Sequence, residues 1–207
     1  MKITKKLWDS NYELAELSLN TKFVQGLKSG KLPKNIFQDY LAQDYFFLET
    51  FARAYGLAVS KSKDKYSIRT LSQLLIGVSE ELILHETYAK EWDIDLSNNY
   101  IKPATKNYTD FLDNVSKKLS AVEIMFAMTP CMRLYSWIGQ RLLNMGFDKK
   151  YKEWIITYSD KSFENLAKSL ENLIDSYQDS FDINQANYLY KRAMELELDF
   201  FKAYSDF

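Results

Sequence analysis

Glycine and proline are scarce, six and three among 207 residues, so the chain lacks the turn chemistry that a many-stranded sheet demands. Cysteine occurs once, which excludes an intramolecular disulfide and a thiolate-rich structural zinc site and leaves either a buried structural thiol or a reactive one. Histidine also occurs once, at His85. This argues against a di-iron bundle site built from two Glu-x-x-His motifs, and it excludes a conventional Cys–His nucleophile pair unless His85 itself reaches the thiol. Neither sign of charge dominates. With 27 basic and 28 acidic residues the net charge is -1, and no global field draws the chain onto phosphate or anionic lipid, so neither nucleic acid nor membrane is an expected partner. No run of ~18 apolar residues occurs, and MKITKKLWDSNYELAEL turns polar too soon to supply an apolar signal core, so a cytoplasmic location is expected.

Aromatic residues, by contrast, are abundant, with 15 Tyr and 13 Phe. Tyrosine offers a π-face and a hydroxyl, which suits the wall of a pocket for a flat polar ligand as well as a packed core. The apolar spacing is helical throughout. After Pro33, residues Ile36, Phe37, Tyr40, Leu41, Asp44, Phe47, Leu48 and Phe51 recur at steps of three and four, one stripe with a single polar intruder. A first helix is predicted over about 4–28 and another from about Asp64 to Trp92. A polar break follows at DIDLSNNYIKP, then a helix opened by Pro103, then one started by a Ser120–Glu123 capping box. Two more helices are divided near Ser159, and a long helix ends the chain. The expectation is all-α: residues 1–207 as one domain, a bundle of seven or eight helices.

Three residues stand out chemically. Cys131 follows Pro130 inside an apolar helical run, where the proline removes a backbone N–H and is expected to kink the helix and leave the Phe126 carbonyl without its usual donor. Tyr135, four residues on, shares the thiol's helix face. Asp44 lies on the apolar face of LAQDYFFL, where a carboxylate is costly unless a partner or ligand satisfies it. In MELELDFF, Glu197 precedes Phe200 and Phe201 at helical spacings and is expected to point inward, with Glu195 facing water. A thiol nucleophile, a binding carboxylate and a proton-donating carboxyl form a set suited to displacement at an electron-poor ring. His85 reads as structural or as a residue supporting a site, and Glu81 one turn earlier is not enough for a metal centre.

These residues also carry a resemblance. FVQGLKSGKLPKNIFQDYLAQDYFFL, EELILHETY, PATKNYTDFL, AMTPCMRLYSWIGQRL, YKEWIITYSDKSF and ELDFF resemble, in order and spacing, the TenA family, also called thiaminase II or aminopyrimidine aminohydrolase. The resemblance implies a heme-oxygenase-like helical fold without heme, assembled as a homotetramer, with no metal or organic cofactor. It implies hydrolysis of 4-amino-5-aminomethyl-2-methylpyrimidine, and of thiamin, to the hydroxymethylpyrimidine for thiamin salvage. It also implies the branch of the family with a cysteine nucleophile. On that likeness Cys131 is the nucleophile, Glu197 the proton donor and Asp44 the carboxylate on the aminopyrimidine edge. Tyr108, Tyr135 and Tyr158 are pocket tyrosines. Phe47 stands where the family often has a tyrosine whose hydroxyl supports the cysteine, and Phe200 and Phe201 followed by KAYSDF replace the frequent Phe-Trp ending. The alternatives are a pyrimidine-binding or regulatory relative with little catalysis, and a metal-dependent oxygenase, which the single histidine argues against.

Overall fold

The computed structural model describes residues 2–94, 100–177 and 181–207, and these are helical with no strand among them. Ten α-helices follow in chain order: α1 Ile3–Ser10, α2 Tyr12–Leu19, α3 Lys22–Ser29, α4 Lys34–Lys61, α5 Lys65–Trp92, α6 Pro103–Lys118, α7 Ala121–Met145, α8 Lys152–Ser159, α9 Lys161–Ser176 and α10 Ile183–Lys202. A single 3-10 turn, Lys149–Tyr151, precedes α8. The polar break at DIDLSNNYIKP lies partly outside the described residues.

Most boundaries follow from their caps. The Asp64 carboxylate accepts from Ser67 N at 2.8 Å to start α5, Asp160 and Asp182 do the same for α9 and α10, and Pro103 occupies the first turn of α6. The Ser120 amide donates to Glu123 at 2.9 Å, half of the expected capping box. One expectation fails at the N-terminus. The predicted single helix over 4–28 is three helices, because Asn11 turns its side-chain amide back onto the Leu7 carbonyl at 2.8 Å and Thr21 accepts from Val24 N to cap α3. Short polar side chains that bond the local backbone compete with helix continuation, which is why ten helices replace the expected seven or eight. Helix α7 carries Pro130 in its interior and stays helical on both sides of it. The Thr129 hydroxyl meanwhile bonds the Met125 carbonyl at 2.7 Å.

The chain divides into two compact units, one of residues up to Pro33 with Met125–Phe207, the other Lys34–Ile124, the division falling inside α7. In the second unit α4 lies against both α5 and α6. Lys61 at the end of α4 donates to the carbonyls of Ser116, Lys117 and Leu119, placing a cation at the negative end of α6. Buried Gln43 ties down the start of α6, giving its amide N–H to Tyr100 O and accepting from Lys102 N. In the first unit Arg133 of α7 forms two parallel bonds to Glu171 and a third to Glu164, both on α9, at 2.6–2.7 Å. Burial would raise the Glu164 pKa, but the bonds from Ser136, Lys168 and Arg133 hold it at about 2. That clamp fixes the segment of α7 two residues beyond Cys131.

Helix α8 approaches α7 at Gly139, where a Cβ would stand 2.5 Å from the Tyr158 carbonyl carbon and 2.6 Å from Ser159 N. Backbone cannot yield as a side chain can. Gly139→Ala is expected to destabilise the protein by about 1–3 kcal/mol through overpacking, lowering Tm by roughly 2–12 °C for a chain of this size. Gly56→Ala, in the last third of α4, meets nothing within 4 Å and should leave Tm level or slightly higher. Thermal melts of the two variants check the contrast, and equal shifts would contradict it.

Candidate active site

The predicted residues fall into two sets, one in each unit. Asp44 and Phe47 lie on α4, Tyr108 on α6 and His85 on α5, and all four are buried. The Asp44 carboxylate, 4% exposed, is not bare: its Oδ2 meets His85 Nε2 at 2.9 Å. His85 Nδ1 lies 3.0 Å from the main-chain carbonyl of Glu81, one turn earlier on α5. Burial drives the His85 pKa down, but the hydrogen bond and charge of Asp44, with Glu81 behind them, outweigh it and hold the ring above the usual imidazole range. Phe47 packs its ring on Tyr108, centroids 4.6 Å apart, and on Phe51 at 5.2 Å. The position where the family often has a tyrosine thus holds a phenylalanine packed between two other rings.

In the other unit Cys131 is half-buried on α7. One turn on, Tyr135 is the hub of an aromatic cluster, with Tyr158 at 4.8 Å, Trp154 at 5.8 Å and Phe201 at 5.4 Å. Tyr158 in turn meets Trp154 and Phe163 edge-on. Glu197 is buried on α10, 1% exposed, one turn before Phe201, while Glu195 is partly exposed and paired with Arg192, as the spacing predicts. Cys131 and Glu197 therefore each sit one helical turn from the same Tyr135–Phe201 contact.

Sequence reasoning located Cys131, Tyr135, Glu197 and Asp44 from local spacing. It missed the bond from His85 to Asp44, although each residue had been flagged, one as the only histidine and one as an acid on an apolar stripe. It also missed Phe163, on the next helix, and Trp154, one turn before Tyr158 on α8 itself, as neighbours of Tyr158. Spacing within one helix carries no signal for contacts between helices, though it does for a pair such as Trp154 and Tyr158.

The comparisons with known proteins agree with one another. The model of the TENA/THI-4/PQQC family matches residues 10–206. The chain is similar to the mitochondrial bifunctional TH2 protein of Arabidopsis thaliana, 33% identical across 96% of this chain and 36% of that one, so it spans little more than a third of that relative. It is similar to the aminopyrimidine aminohydrolase of Halalkalibacterium halodurans, 32% identical over 84% of this chain and 81% of that protein. Its fold matches the crystal structure of a TenA family transcription regulator from Silicibacter sp. with a TM-score of 0.92 at 25% identity, covering 98% and 96% of the two chains. A match that runs nearly end to end, on an all-helical fold of the same kind, places this chain in the TENA/THI-4/PQQC family.

Proposed function

We propose that this chain is a hydrolase acting on aminopyrimidines of thiamin metabolism, releasing hydroxymethylpyrimidine from its aminomethyl precursor and from thiamin. The observation that carries the reading is the sole thiol, Cys131, half-buried one turn from a cluster of tyrosines, with a buried carboxyl on α10 beside the same cluster. Family membership and the aminopyrimidine aminohydrolase among the relatives support it.

In this reading the Cys131 thiolate adds to the pyrimidine ring, and the electron pair displaced into the ring expels the amine from the exocyclic carbon. Glu197 gives the departing amine its proton. Water then bonds to that exocyclic carbon, returning a proton to Glu197, and the C–S bond breaks as the ring regains aromaticity. Two modest barriers replace one high one. Asp44 accepts from the amino edge of the ring, while Phe47, Tyr108, Tyr135 and Tyr158 supply faces and hydroxyls. The protein is a cytoplasmic homotetramer that needs no cofactor. The test is a panel of thiamin, aminomethylpyrimidine and its formyl derivative given to the purified protein, with hydroxymethylpyrimidine as the product sought. Release from none of the three would overturn the reading.

Phe47 favours one other reading, a pyrimidine-binding protein with little chemistry, since it brings no hydroxyl to support the thiol. Tight calorimetric binding without amine or thiazole release distinguishes it.

A further inference from the structure

His85 and its bond to Asp44, both buried, have no part in the steps above, although Asp44 itself is given the ring's amino edge. His85 Nδ1 faces a main-chain carbonyl, that of Glu81, at 3.0 Å. A carbonyl has no proton to give, so Nδ1 carries the hydrogen. This fixes Nε2 as the nitrogen that meets Asp44 Oδ2, at 2.9 Å. Two lone pairs do not face one another at that distance, so the contact holds a proton. With Nδ1 already protonated, a proton on the nitrogen side makes the ring an imidazolium and the aspartate an anion. The charges acting on the ring are Asp44 from α4 and Glu81 from α5, and their pull exceeds the cost of burial.

We infer that His85 is the positioning residue for Asp44, donating to Oδ2 so that the carboxylate is held in one rotamer, ionised, with Oδ1 left to accept from a ligand's ring edge. The consequence is selectivity, and for the identity of the ring it rests on the aminopyrimidine reading. An ionised carboxylate is acceptor-only and so favours an edge bearing N–H, such as an amino-substituted pyrimidine. A neutral acid would also offer an O–H and would tolerate an oxo-substituted one.

The sole histidine makes the test clean, because its ring nitrogens give the one imidazole signal in a 15N spectrum of the intact protein. The expected result is a ring protonated at both nitrogens, with a titration midpoint above the ordinary value of about 6.5, and a lower midpoint in Asp44→Asn. A wild-type midpoint at or below the ordinary value, or one unmoved by Asp44→Asn, would overturn the inference, and the wild-type measurement needs no variant to fold. In turnover, His85→Leu should raise KM about tenfold with a smaller change in kcat, the loss expected of one charge-assisted hydrogen bond. His85→Gln, whose amide can donate to the same oxygen, should recover most of it. Equal loss in both variants would contradict the positioning role. A wild-type protein that turns over no pyrimidine would defeat the proposed function, while the ring titration would still decide the pair.

Discussion

Cys131→Ser is expected to reduce turnover of aminomethylpyrimidine by about 10³-fold or more, because a serine hydroxyl stays protonated at neutral pH while a thiol with a pKa near 8.5 is already a few per cent thiolate. The replacement is nearly isosteric and the site half-buried, so Tm should move little and the loss will read on kcat rather than on folding. Substrate binding should persist, since the groups that read the pyrimidine are elsewhere. Steady-state kinetics with a thermal melt on the same preparation measure both. A serine variant working at wild-type rate would remove covalent catalysis from the account.

Glu197→Gln is expected to cost about 10²–10⁴-fold, the range for losing a positioned general acid, and the loss should depend on the leaving group. An amine bound in its neutral form needs a proton to depart, whereas the thiazolium of thiamin leaves as a neutral thiazole with none. Both substrates then need the water step, which the carboxylate assists. The variant should therefore lose more on aminomethylpyrimidine than on thiamin. Rates measured side by side on the two substrates check it, and an identical loss would assign Glu197 to the water step alone.

How much of this was legible in the sequence depended on how far apart the interacting residues lie. Helix starts were readable where a single side chain caps the next turn, as at Asp64, Pro103, Ser120 and Asp160. They were missed at Asn11 and Thr21, where apolar spacing continues across the break and the stop depends on one side chain turning back onto the main chain. The inward aspect of Glu197 and the outward one of Glu195 followed from helical period alone. Asp44 was recognised as anomalous because a carboxylate on an apolar stripe needs a partner, but the partner is 41 residues away on another helix. The clamp of Arg133 on Glu164 and Glu171 spans more than 30 residues and had no signal in the chain.

The central claim, that the thiol at position 131 lies against a bound pyrimidine ring, is tested most directly by alkylation. Iodoacetamide labelling of the single cysteine can be followed by intact-protein mass spectrometry with and without saturating hydroxymethylpyrimidine. The account predicts labelling in the free protein and protection, dependent on pyrimidine concentration, in the complex. Labelling at the same rate whether or not the pyrimidine is bound would contradict it.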